Sequence, residues 1–180
     1  MTDHFAVLGL PLSAWVDPAA VKARHHELVG AAHPDKPGGD APRAAALNEA
    51  RRVLSNHALR LRHLAALLPQ STSATDPHKP DWDLFSRIGA LANRAADLAR
   101  TKSGASSRIA RTVATLEAER CTSALRDLLA ELEQLSNDLE SRTRKASVED
   151  RPGLEQLAAE WTFLGRSTRS LREALTALSL

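Results

Sequence analysis

Tyrosine is missing from the 180 residues and aromatics make up only 3% of them. An apolar interior must therefore be built from Leu, Ala and Val, a composition that favours helices over sheets. Cysteine occurs once, as Cys121. That excludes an internal disulfide and any four-cysteine zinc module, and a single thiolate cannot hold an iron–sulfur cluster by itself. Charge of either sign is barely in excess, 24 basic against 22 acidic residues. With no dense Lys/Arg run interleaved with aromatics, no nucleic-acid partner is expected. No apolar run approaches the roughly 20 residues of a membrane span, and Asp3 stands where a secretory leader would be basic and then apolar. The expectation is a soluble, cytoplasmic protein in a reducing compartment, without a membrane partner.

Motifs of catalysis are also lacking. The chain has no glycine-rich phosphate loop, serine nucleophile motif or His-Glu-x-x-His. His25, His26 and His33 invite a metal reading, but neighbouring residues on a helix diverge by about 100°. Only Asp35 is placed to join His33. A non-enzyme with no cofactor and no metal is expected.

What is present is helical pattern almost from end to end, with 43% hydrophobic residues to bury and one sharp break. The break is Ala32-His33-Pro34-Asp35-Lys36-Pro37-Gly38-Gly39-Asp40, where proline blocks continuation of a helix and disfavours helical geometry just before itself. Upstream, Phe5 and Leu8 share a face of a short helix ended by Gly9 and Pro11. Asp17-Pro18 then supplies an N-cap followed by proline at the first helical position. Val21, His25, Leu28 and Ala32 mark the buried stripe of the second helix, with His25 facing the core; Lys22, Arg24 and His26 are expected to face solvent. A third helix should start near Asp40 to Arg43 and end about Ser55, packing Leu47, Ala50 and Leu54 on the second. A fourth should span His57 to Leu68, with Leu61, Leu64 and Leu68 on one side.

From Pro69 to Pro80 the composition turns to Ser, Thr, Pro and Asp, which reads as a linker. Beyond it Leu84, Ile88, Leu91, Ala95 and Leu98 mark one helix, broken around Ser103-Gly104. Ile109, Val113 and Leu116, then Leu128, Leu132, Leu135 and Leu139, mark a second. The third begins at Pro152 and carries Leu154, Leu157, Trp161, Leu164, Thr168, Leu171, Leu175 and Leu178 at alternating spacings of three and four. Such helices can bury their stripes only against one another.

The opening Asp3-x-Phe5-x-x-Leu8-Gly9-Leu10, the His33-Pro34-Asp35-Lys36 loop and Asn48-Glu49-Ala50 with Leu54, in that order and spacing, resemble the J-domain of co-chaperones that stimulate seventy-kilodalton heat-shock ATPases. A small J-domain followed by a helical bundle, with Leu61-Arg62-His63 and Trp161-Thr162-Phe163-Leu164, is similar to the HscB/Jac-type co-chaperones of iron–sulfur cluster assembly. The resemblance implies an all-α chain: a J-domain over residues 1–68, a linker over 69–80, and a three-helix antiparallel bundle over 81–180. It implies that Lys22, Arg24, His33, Pro34, Asp35 and Lys36 contact the partner chaperone, with Asp35 the essential charge. It implies also that Leu84, Phe85, Ile88 and Phe163 bind a client, the iron–sulfur cluster scaffold protein. Phe85 and Phe163 lie off the stripes, so each is either an exposed anchor or a completion of the core. A bundle that binds another client or self-associates is the alternative, and monomer and dimer both stay open.

Overall fold

The computed structural model describes residues 1–32, 40–69, 82–104 and 106–179. Among them are seven helices and no strand, an all-α chain as expected. Two compact units emerge: Met1–Pro77 together with Leu139–Trp161, and His78–Asp138 together with Thr162–Leu180. The first is larger than residues 1–68, because it takes in the end of one bundle helix and the start of another.

In the first unit, helix α1 (His4–Leu8) is short and held at both ends. The Asp3 carboxylate accepts from the amides of Phe5 and Ala6 at 2.9 and 3.2 Å. At the other end Gly9 takes a left-handed conformation, φ 62°, which glycine adopts without the steric penalty of a Cβ. The amides of Gly9 and Leu10 then reach back to the carbonyls of Ala6 and Phe5. Phe5 and Leu8 are fully buried.

Helix α2 (Pro18–Ala32) starts on Asp17, whose carboxylate accepts from Ala19 at 2.9 Å. Helix α3 (Ala41–Leu54) starts on Asp40, which accepts from Arg43 at 3.0 Å. The two run antiparallel. Asp40 donates its amide to the Ala32 carbonyl at 3.3 Å, and further along His25 Nε2 meets Asn48 Oδ1 at 2.9 Å. Val21, His25, Leu47, Ala50 and Leu54 are all buried. Burying one such aliphatic side chain contributes about 1.5–3 kcal/mol. His25 is thus the core histidine that its stripe position requires. Helix α4 (His57–Leu67) is capped by Asn56 and buries Leu61 and Leu64.

In the second unit, helix α5 (Trp82–Gly104) buries Leu84, Ile88, Ala95 and Leu98. It is antiparallel to helix α6 (Arg108–Lys145), to which Arg87 forks across on Glu131 at 3.1 and 2.6 Å. Lys102 near the end of α5 donates to the Leu178 carbonyl near the end of helix α7 (Arg151–Ser179) at 3.3 Å. Both α6 and α7 contribute to each unit.

Two stripes depart from the sequence expectation. In the first half of α6 the core is Ala114, Ala118, Cys121 and Leu125, whereas Ile109, Val113 and Leu116 are exposed. Apolar residues occupy two faces of this helix about 140° apart. The expectation followed the bulkier set, while the smaller set continues in register into the buried Leu128 and Leu132. In α7, Leu164, Leu171 and Leu178 are buried as expected, but Ser167 and Ala174 lie inside while Thr168 and Leu175 are half-buried. A close-packed interior takes the smaller residue on the crowded side.

Candidate functional site

Of the chaperone-binding residues expected from sequence, His33, Pro34, Asp35 and Lys36 lie outside the described residues. What the structure gives is their anchorage. Ala32 and Asp40, the described residues on either side of 33–39, are hydrogen-bonded to each other, Asp40 donating its amide. Lys22 and His26 are exposed on α2. Arg24 has a side chain that is 39% exposed, and its guanidinium is also engaged within the fold. Its Nε donates to the Leu8 carbonyl at 3.3 Å, and its Nη1 pairs with Glu27 at 2.6 Å. A Cβ on Gly9 would stand 2.8 Å from the Arg24 Nη2 atom. The guanidinium is engaged in closing the end of α1 against α2, which an off-stripe position on the helical wheel cannot reveal.

The expected client-binding residues divide by burial. Leu84 and Ile88 are 3% and 6% exposed and Phe85 is 55% exposed; Phe163 is half-buried. Leu84 and Ile88 therefore belong to the bundle interior. The aromatic that joins Phe85 is Trp82, 69% exposed, with ring centroids 5.9 Å apart and planes nearly perpendicular. Edge-to-face geometry fixes both rings in the open. On a different face of α5, roughly opposite Phe85, α5 and α6 enclose a groove of about 490 Å³, lined by Ala90, Leu91, Ala124 and Leu128 with Arg87, Arg94, Asp127 and Glu131.

No family model matches the chain. It is 40% identical over 78 residues to the tetratricopeptide repeat and J domain-containing co-chaperone DNJ1 of Cryptococcus neoformans, a match covering 43% of this chain and 14% of that protein. Over 98% of its length it superposes on 99% of the chaperone HscB from Vibrio cholerae, with a TM-score of 0.57 at 14% identity. The chain has the fold of HscB.

Within the HscB-like fold, sequence reasoning missed a cluster that joins α4 to the end of α6 and the start of α7. At its centre is Arg60, 1% exposed. It donates to the carbonyls of Ala14 and Leu54 at 2.9 and 2.8 Å and to His57 Nδ1 at 2.9 Å. Burial brings its pKa down to about 10, which still leaves it protonated at neutral pH. His57 is stacked between Trp15 and Trp161, at centroid distances of 5.5 and 4.1 Å. Burial first, and then the Arg60 charge, lower its pKa to about 4. Arg144 lies 3.9 Å from the centroid of the Trp15 ring, a cation–π contact. Trp161 Nε1 donates to Thr143 Oγ1 at 3.0 Å, and that hydroxyl donates to the Leu139 carbonyl at 2.7 Å. Arg151 adds a bond to the Leu68 carbonyl at 3.3 Å.

A neutral, sandwiched imidazole whose ring nitrogen is taken by a guanidinium is suited to fastening helices, not to proton transfer. Among the described residues no group of three His, Cys, Asp or Glu side chains could hold a metal ion. No helix there is long and apolar enough to cross a membrane.

Proposed function

We propose that the chain is a J-domain co-chaperone that stimulates the ATPase of a seventy-kilodalton heat-shock chaperone and delivers an iron–sulfur cluster scaffold protein to it. The observation that carries this reading is the HscB-like fold over 98% of the chain, joined to the ordered motif set of its first 54 residues. The antiparallel α2–α3 pair supports it further, because the Ala32–Asp40 bond closes that pair at the two described residues flanking the His33-Pro34-Asp35 motif. In this role the protein makes and breaks no covalent bond. It binds one conformational state of its partner better than the other, and that difference is what speeds hydrolysis.

The Asp35 carboxylate, in a proline-bounded segment, meets a cationic surface of the partner with little entropy to lose. Single-turnover ATP hydrolysis by the purified chaperone tests this. Wild-type chain accelerates it, and Asp35→Asn reduces the acceleration by about tenfold, the scale of one lost charge-assisted contact. Full stimulation by Asp35→Asn sinks the proposal.

The client side rests on Trp82 and Phe85, an exposed aromatic pair of the kind that anchors protein partners. In a titration of the scaffold protein, Phe85→Ala weakens binding by about tenfold while the helix content stays that of wild type. Undiminished affinity would move the client to another face of the bundle.

A further inference from the structure

The face of α6 that carries Ile109, Val113 and Leu116 is 78%, 50% and 52% exposed at those residues. It points about 140° away from the buried Ala114, Ala118 and Cys121 of the same helix. Three aliphatic side chains at i, i+4 and i+7 make one unpartnered stripe. We propose that this stripe is the contact between two copies of the chain, which associate antiparallel through α6 about a two-fold axis near Val113. The inference is independent of the co-chaperone reading.

The charges beside the stripe single out a second copy as the occupant. Arg108 and Glu119 are three turns apart, so they fall on the same flank of the helix within about 20° of each other, roughly 16 Å apart along the axis. Both are exposed, and neither takes part in an ion pair among the described residues. A two-fold axis through an antiparallel pair sets like flanks face to face. Centred near Val113, it sets Arg108 of each copy against Glu119 of the other, forming two equivalent ion pairs. On the stripe itself, Val113 meets its own counterpart. Ile109 enters between Leu116 and Arg120 of the other copy, and the aliphatic stem of Arg120 covers it. On the opposite flank Glu117 faces Ala110, so no like charges meet. A parallel pairing sets unlike flanks face to face, with Glu119 of each copy beside Glu117 of the other and Arg108 beside Ala110, so it gains no ion pair and is disfavoured by repulsion.

Three apolar residues per copy fall below the roughly 1,200 Å² of total buried area that stable complexes reach. The dimer is accordingly weak, with a Kd of about 100 µM, and reversible. Sedimentation equilibrium of the full chain from about 10 µM to about 1 mM tests it. The weight-average mass should rise from 19.5 kDa toward twice that value. Val113→Glu places two carboxylates on the axis and raises the Kd at least tenfold, as does each of Arg108→Glu and Glu119→Arg alone. Mixing the two single-charge variants restores association to within about threefold of wild type, because each then supplies the charge the other lacks. All these positions are exposed, so circular dichroism should be unchanged. A chain that stays monomeric to 1 mM, association that survives Val113→Glu, or charge variants that fail to complement each other would overturn the proposal.

Discussion

Arg60→Ala is expected to destabilise the chain by about 3–5 kcal/mol, the scale seen when one member of a buried charged network is removed. Arg60 is almost wholly enclosed, and all three of its bonded groups lie in different parts of the first unit: Ala14 before α2, Leu54 at the end of α3, and His57 at the start of α4. Truncation leaves two carbonyls and a ring nitrogen without a donor, and each buried unsatisfied acceptor costs about 1–3 kcal/mol. It also opens a cavity beside the Trp15 ring, whose centroid is 5.8 Å from the guanidinium carbon. Relief from burying a cation offsets part of this, since the depressed pKa of Arg60 shows that burial is itself unfavourable. Arg60→Lys keeps the charge but not the planar fork that reaches three acceptors, so it should fall between Ala and wild type. Urea unfolding followed by far-ultraviolet circular dichroism reads the effect as a lower midpoint at unchanged slope. A wild-type midpoint for Arg60→Ala would mean that the three bonds are replaced by water at no cost.

Why Arg60 was not legible, when so much around it was, follows from the range over which each signal acts. Asp3, Asp17, Asp40 and Asn56 cap helices within three residues of themselves, and the polar–apolar spacing of Val21, His25, Leu47, Ala50 and Leu54 is a property of one helix at a time. Such local rules place the starts of α2, α3 and α4, the antiparallel α2–α3 pair and a buried histidine. Nothing near Arg60 in the chain marks it as internal. Its role depends on Ala14, 46 residues away, and the stack on its partner His57 needs Trp15 and Trp161 together. Trp161 sits on the seam expected for α7, but it is only half-buried, and its indole bonds to Thr143.

The same distinction explains the candidate surfaces. Leu84 and Phe85 are adjacent and equally apolar, and helical spacing already puts Leu84 on the stripe and Phe85 off it; the packing of α5 settles that Phe85 is open and does not complete the core. Trp82 carried a usable sign, an aromatic at the first turn of a helix just after a proline-rich stretch, where no core stripe requires it. Ile109, Val113 and Leu116 satisfied the helical spacing rule perfectly well, yet face solvent. Periodicity identifies an apolar face, and it takes a neighbour to identify the inner one.

Acidification should loosen the first unit well before carboxylates dominate the titration. His57 and His63 both have pKa values held below the ordinary 6.5, His57 down to about 4, in each case chiefly by burial. For His57 the Arg60 charge adds to the effect and Glu140 opposes it; for His63 the neighbouring His4 adds and Asp3 opposes. The geometry agrees with neutral rings: His57 Nδ1 accepts from Arg60 at 2.9 Å, and His63 Nε2 accepts from the His4 amide at 3.0 Å. A proton on either acceptor would cancel the bond. The unfolded chain, with ordinary imidazoles, binds these protons at higher pH than the folded chain does. Stability is therefore complete above about pH 6.5 and is lost progressively as the pH falls toward 4. After allowance for the partial exposure of His57, its share comes to about 2 kcal/mol. Urea midpoints at pH 7.5 and at pH 4.5 measure the loss in wild type. His57→Gln, whose side-chain oxygen can still accept from Arg60 and which does not titrate, should lose about 2 kcal/mol less over the same interval, even if it starts from a lower midpoint at pH 7.5. Equal losses in wild type and His57→Gln would show that the sandwiched ring takes up its proton without penalty, and that the acid sensitivity of this unit arises elsewhere.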